Sequence, residues 1–399
     1  MSATREREVA ITGLGAVTVF GQGVGALWNG LLSGASGLAP VTLFDATRFA
    51  ARCAAEVKAP PPDPEGETVE RGHLLALGAA REALGSLDGG FGGPGAAVVV
   101  GTTLGGNRLF TSWLDARRAG QGEGGAALPA STMSSATKLL ARRFGARGPA
   151  WTVSVACASG TAAIGLAAEL VRSGEVDRAL AGGYDALSEF VFAGFDSLRA
   201  LSTTTVRPFD ASRDGLGLGE GAGFVLLEEA ESASRRGAEV LALVSSYASA
   251  SDAHHMTRPA PEGDGLVRAL RGALEAAGVA ASEIAFISTH GTGTVFNDRM
   301  EASAFTRFFG ERAMELPMNS IKGAVGHTLG AAGALEAVMA VLGLRYGLLP
   351  PTANLLARDP ALALDLVAHE PRRVASPRYA LSTSSAFAGN NAALVLERA

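Results

Sequence analysis

Short, wholly apolar runs alternate along this chain with longer segments of helical period, and glycine or proline marks most of the boundaries. Such runs at 8–12, 96–100, 151–155, 178–182 and 224–227 predict strands. The run at 96–100 (AAVVV) lacks any polar alternation, which predicts a strand covered on both faces. The β-branched run 151–155 reads likewise as a short buried strand. Helical period appears at 28–32, 73–87, 133–144 and 158–172, the last of these closed by Gly174. A proline-rich stretch, 59–64, predicts a rigid surface loop. The glycines at 101–106 and the segment 182–185 (GGYD) predict loops leaving strands.

From 240 onward the pattern starts again. Strands are predicted at 240–247, 284–288, 318–320, 379–384 and 392–396, with helices at 263–277, 298–309 and 330–344. Two halves of similar order imply an internal structural duplication, 1–235 and 236–399. Strands alternating with helices predict an α/β protein with helices covering mixed sheets. In such folds reactive residues sit in loops beyond strand ends.

Composition narrows the function classes. With 399 residues, 47% hydrophobic and 18% charged, a large core is available and disorder is not expected. At about 150 residues per domain the length allows two or three units. A net charge of −5 supplies no basic surface for nucleic acid. Cys53 and Cys157 provide neither a disulfide framework nor a CxxC metal pair. The N-terminus, MSATREREVAITGLG, has no apolar core of a secretory leader. The most apolar long run, 331–351, is interrupted by Glu336 and Arg345 and reads as a buried helix rather than a membrane span. A cytoplasmic protein is expected.

Candidate chemistry gathers at a few loops. Cys157 follows the run 151–155 and precedes the helix 158–172, so it is expected at a helix N-terminus. Free N–H groups and the helix dipole there favour thiolate and predict a lowered thiol pKa. Of six histidines, His290 and His327 stand out, because each lies in a glycine-rich loop at a strand or helix end. Gly13-Leu14-Gly15 has the look of a dinucleotide loop, but Thr18 occupies the third glycine position, and a strand-to-loop turn is the better reading. The run 219–223 (GEGAG) precedes a strand instead of a helix with Lys-Ser/Thr, which disfavours a phosphate cradle.

Taken together, VACASG around Cys157, RPFD…RDG…GEGAG, HGTGT…ND…E and K…GHTLGAAG with Glu336 resemble, in this order, the elongating β-ketoacyl–acyl carrier protein synthases. The resemblance runs the whole length, to the loop 384–391. It implies a thiolase-like fold, layered αβαβα, with two duplicated halves of mixed five-stranded sheets. It implies decarboxylative condensation of a malonyl-carrier with an acyl group held on Cys157, in fatty acid or type II polyketide elongation. His290 and His327, as neutral imidazoles, would stabilise the enolate. Lys322 would support the histidine pair, Glu336 would anchor their loop, and Asp298 and Glu301 would be supporting carboxylates. Thr292 and Thr294 would hold the phosphopantetheine arm of the acyl carrier protein. The backbone N–H groups of Cys157 and Phe387 would hold the tetrahedral oxyanion, and Phe387 would gate entry. No permanently bound cofactor and no metal are implied. The implied partners are acyl carrier protein and a second subunit, in a homodimer or in a heterodimer with a related ketosynthase-like chain.

Three departures from the family pattern matter, the last two for gating. Gly323 replaces a small hydroxyl residue. Ala386 and Ala388 flank Phe387 where the housekeeping enzymes carry glycine, which stiffens the loop. The segment 201–206, expected to partner the gate, is short. Phe296-Asn297-Asp298 after HGTGT resembles specialised type II polyketide and aryl-polyene ketosynthases. Rival readings are weaker. A thiolase needs a second cysteine near the C-terminus, and none follows Cys157. A hydrolase elbow needs glycines where Val155 and Ser159 stand. A chain-length-determining partner subunit usually lacks the nucleophile, which is present here. A thiolase-like acyltransferase using CoA substrates is the remaining alternative.

Overall fold

The structure, a computed structural model, describes residues 7–68, 70–87, 89–120 and 125–399. Residues 1–6, part of the N-terminal leader reading, lie outside them.

Ten principal strands form two groups of five. The first group comprises β1 (Val9–Thr18), β2 (Ala96–Gly101), β3 (Ala150–Val153), β4 (Arg178–Asp185) and β5 (Gly221–Glu229). The second comprises β6 (Ala242–Ser251), β7 (Ile284–Ser288), β8 (Pro317–Asn319), β9 (Tyr379–Ala386) and β10 (Asn390–Arg398). Their spatial orders correspond: β1-β5-β4-β2-β3 and β6-β10-β9-β7-β8. In both, the first three strands pair antiparallel and the rest parallel. A two-residue contact, Ala10 with Leu243 and Ile11 with Ala242, joins the sheets edge to edge.

Helices α1 (Arg71–Leu84), α2 (Ser159–Arg172), α3 (Asp264–Ala277), α4 (Val295–Phe309) and α5 (Ala332–Tyr346) complete the layers. One core cluster unites α2 and α5 with apolar residues of both sheets, among them Ile11, Val99, Val225, Phe286 and Leu394. A second packs α1 on the outer face of the first sheet, and a third packs α3 and α4 on the outer face of the second. The order is helix, sheet, helices, sheet, helix, as the α/β thiolase-like reading expected. Helix α5 falls in the apolar stretch Leu329–Tyr346, which is long and apolar enough to cross a membrane. Its side chains are buried in the protein core, with 89% of the stretch inside.

Several expectations are corrected. Gly13-Leu14-Gly15 is not a turn but the middle of β1. A Cβ at Gly13 or Gly15 would lie 1.9 Å from the carbonyl oxygen of Ala83 or Ala79, so the glycines let α1 rest directly on the strand. The segment 182–185 is not a loop either. It completes β4, and its glycines admit the neighbouring backbones of Gly223 and Gly330. The predicted buried strand at 151–155 is β3, an edge strand with one neighbour, and Trp151 is 43% exposed. Ala150 and Trp151 are exposed, whereas Val153 packs against the central core.

Candidate active site

Strand ends bring the predicted residues together. Cys157 sits between β3 and α2, on a turn where Ala156 adopts φ 51. This left-handed backbone is unfavourable by roughly 1–2 kcal/mol for a residue with a Cβ. His290 follows β7, and Lys322 and His327 lie beyond β8 on the short helix Lys322–Val325 and the loop after it. Phe387 begins the turn between β9 and β10.

The Cys157 sulfur lies 3.0 Å from Nε2 of His327. The two imidazoles meet edge to face at 5.2 Å. Their tautomers follow from their other partners. His327 Nδ1 accepts the Leu329 N–H at 3.3 Å, so its hydrogen is on Nε2 and points at the sulfur. His290 Nδ1 lies 3.3 Å from the Lys322 ammonium, which has only hydrogens to offer. His290 therefore also carries its hydrogen on Nε2. Burial, and then the Lys322 charge, hold both histidines well below their usual range. Two neutral N–H donors thus stand beside one buried sulfur.

Cys157, His290 and His327 each offer a ligand atom, all within 4.8 Å of one another, a spacing that suits a metal ion. The tautomers oppose that use, because the Nε2 lone pairs are occupied by hydrogen. Freeing them would turn each Nδ1 into a donor facing another donor.

The thiol behaves differently from the expectation. Burial pushes Cys157 up to about 12. Lys322 pulls it down, the buried Asp185 carboxylate raises it further, and the backbone N–H groups of Phe387 and Cys157 lower it. Desolvation outweighs the helix N-terminus, so the resting group is the neutral thiol. Those two N–H groups are near enough to the sulfur to favour its charged form, though less than burial opposes it.

Lys322 is itself clamped. It donates to the His290 carbonyl and forms a buried ion pair with Glu336 of α5. Glu336 thus anchors Lys322. Glu301 accepts the backbone N–H of His290 at 2.8 Å and of Gly291 at 2.6 Å. Asp298 accepts from Phe209 N at 2.7 Å and Gly293 N at 3.2 Å. Both carboxylates belong to α4 and shape the His290 loop. Burial raises Glu301 to about 8 and Asp298 to about 6. Asn297 donates one amide group to both of them.

Thr292 and Thr294 line the cavity that opens over Cys157, a space of about 440 Å³ shared with Phe195, Arg258 and Phe387. Thr294 has a further task, capping α4 by accepting the Asn297 N–H. Phe387 stacks on Phe195, with centroids 5.5 Å apart. The expected partner of the gate, 201–206, is not what holds it. Met256 accepts the Ala388 N–H at 2.7 Å, and Asp252 N donates to Gly389 O at 2.8 Å.

Sequence reasoning missed Asp185, Asn297 and Phe195. Asp185 was hidden in a glycine pair that reads as a turn. Asn297 had a signal, its place beside Asp298 in the quoted motif at the start of α4, just after the glycine-threonine loop. Phe195 had none, because nothing local marks a helix residue that meets a distant loop.

The layered fold and this cysteine–histidine–histidine centre define a condensing enzyme of the thiolase-like type. The chain belongs to the β-ketoacyl synthase family: residues 6–233 match its N-terminal domain and 241–356 its C-terminal domain. It is 37% identical to the tetracenomycin polyketide synthase ketoacyl synthase alpha subunit of Streptomyces glaucescens, over 100% of this chain and 99% of that one. It is 35% identical to 3-oxoacyl-[acyl-carrier-protein] synthase 2 of Coxiella burnetii, over 98% and 99%. Among solved structures it superposes on the ishigamide ketosynthase/chain length factor with a TM-score of 0.92 at 37% identity, covering 99% of this chain and 100% of that one.

Proposed function

We propose that the chain is an acyltransferase that condenses a malonyl unit with an acyl group carried on Cys157, releasing CO₂ and a β-ketoacyl thioester. The observation that carries this reading is the pair of Nε2–H donors, from His290 and His327, facing the cavity that ends at the Cys157 sulfur. In the first half-reaction the sulfur attacks an acyl thioester, the carrier's sulfur leaves, and the thiol proton goes with it. The backbone N–H groups of Cys157 and Phe387 hold the tetrahedral oxygen. In the second, the malonyl thioester loses CO₂ and its electron pair becomes an enolate. The two histidines stabilise the enolate oxygen, and its carbon attacks the Cys157 thioester. Cys157 departs as sulfide and takes a proton. Donors fixed before charge develops are each worth about 3–4 kcal/mol in such sites.

Thr292 is assigned to the phosphopantetheine arm of an acyl carrier protein, with Thr294 beside it. Phe387 is assigned to the gate, and Lys322, Glu336, Asp298 and Glu301 to support of the histidines. By likeness to the ishigamide structure, whose name joins a ketosynthase and a chain length factor, the chain takes the ketosynthase place in a pair with itself or a related subunit. We further propose that the duplication divides the chain at 235/236, and that the enzyme works in the cytoplasm.

The test separates the half-reactions. Cys157→Ala abolishes acyl transfer from carrier protein, read by intact mass. His290→Ala and His327→Ala leave that transfer largely intact and remove CO₂ release from malonyl-carrier by about a hundredfold or more. An acyl adduct that persists without Cys157, or equal loss of both half-reactions in the histidine variants, overturns the assignment.

A further inference from the structure

Asp185 ends β4 deep inside the protein, fully buried. Four donors converge on its carboxylate: the Thr102 hydroxyl at 2.7 Å, Thr103 N at 2.9 Å, Leu104 N at 3.0 Å and Gly330 N at 2.7 Å. All four are neutral. Three come from the glycine-rich loop after β2, and the fourth comes from the loop that follows His327. A buried carboxylate held only by neutral donors is an expensive choice for mere cohesion.

We propose that Asp185 is a positioning residue: its bond to the Gly330 N–H fixes the Leu329–Gly330 turn, and that turn holds His327 in the tautomer that presents Nε2–H to Cys157. The inference rests on the condensing role given to His327 above. Three observations support it. Leu329 is held in the left-handed region at φ 54, which needs an external restraint. Its N–H is the donor that reserves His327 Nδ1 as an acceptor. Gly330 comes so close to the carboxylate that a Cβ there would lie 2.7 Å from Asp185 Oδ2, so the turn is seated on Asp185.

The same carboxylate acts on the nucleophile's side. It orients Thr103, whose hydroxyl donates to the Ala156 carbonyl at 3.3 Å. Ala156, next to Cys157, is also left-handed. One buried anion therefore braces both turns that set the sulfur and the imidazole 3.0 Å apart.

Two variants break the brace from opposite sides. In Asp185→Asn the shape is kept, but the charge is lost and the amide NH₂, whichever side it takes, faces a backbone N–H, that of Leu104 or those of Thr103 and Gly330. In Gly330→Ala the charge is kept and the turn is pushed off the carboxylate. The readout is the His327 ring signal in protein labelled with ¹³C,¹⁵N-histidine, assigned with His327→Asn, alongside CO₂ release from malonyl-carrier. The wild type is expected to show the Nε2–H form alone. Each variant is expected to show a mixture of tautomers and about a tenfold loss of CO₂ release, less than full removal of a donor gives. A His327 signal unchanged in both variants overturns the proposal, as does a tautomer change with undiminished CO₂ release. Should the wild type release no CO₂ from malonyl-carrier, the functional reading falls, while the ring signal still decides the role of Asp185.

Discussion

At the scale of single residues, charge placement decides the chemistry. Lys322 touches His290 and, with burial, holds both imidazoles neutral. A base whose folded pKa is depressed keeps its neutral form to lower pH. CO₂ release is therefore expected to show no histidine titration between pH 6 and 8. Lys322→Met removes the charge that adds to burial in depressing both histidines, so an acid limb should move up toward neutrality. A pH–rate profile of both proteins checks this. The thiol is predicted to react slowly with iodoacetamide at pH 8, with a rate still climbing at pH 10, because burial holds it up to about 12. The proposed reactive trio was legible in the sequence because Cys157 stands where a strand run gives way to a helix, and His290 and His327 each sit among glycines at an element boundary. The thiol's direction of shift was not legible. The sequence shows a helix N-terminus, but burial is a property of everything packed around it, and burial won.

At the scale of elements lies the turn assigned above to the gate. Phe387 opens a turn in which Ala388 and Gly389 both have positive φ, at 62 and 71. Glycine at 388 would remove a strain of roughly 1–2 kcal/mol and loosen the turn at once. Ala388→Gly is therefore expected to speed acyl loading, measured as kcat/KM for acyl transfer to Cys157. The helix Glu189–Ser197 supplies Phe195, stacked on Phe387. Losing an aromatic pair worth about 1 kcal/mol shifts an opening equilibrium about fivefold. Phe195→Ala should thus raise CO₂ release in the absence of an acyl donor by about that factor, since the gate no longer waits for acylation. The alanines of this loop were readable as a departure in gating. Its partners were not, because Asp252 and Met256, in one loop, and Phe195, in a helix, reach it through space from two separate segments. Glycines misled for a related reason. In β1 and β4 they mark backbones packed against backbones, and a sequence shows the gap but not what fills it.

At the scale of the molecule, the repeated strand order invites the picture of two independent halves, and the core argues against independent folding. Helices α2 and α5 lie between the sheets, and the cluster they form takes residues from both. Leu335 and Val338 of α5 are fully buried with Ile164 and Ala167 of α2 and with Val225 and Leu394 from opposite sheets. The site repeats this dependence, because the nucleophile comes from the first half and both histidines from the second. Separating the halves exposes the apolar faces of both inner helices at once, at about 25 cal/mol per Å². Residues 1–235 alone are accordingly predicted to remain unfolded or aggregate, and the intact chain to melt in one calorimetric transition. Leu335→Ala should lower stability by about 2–5 kcal/mol. Because Leu335 serves the shared cluster, it should displace the whole transition without splitting it. Two resolved transitions, or a folded monomeric 1–235 fragment by circular dichroism and sizing, would show that the halves stand alone and that the shared layer is only an interface. A single displaced transition would mean that the two halves fold as one unit around the helix that follows Cys157 and the helix that carries Glu336.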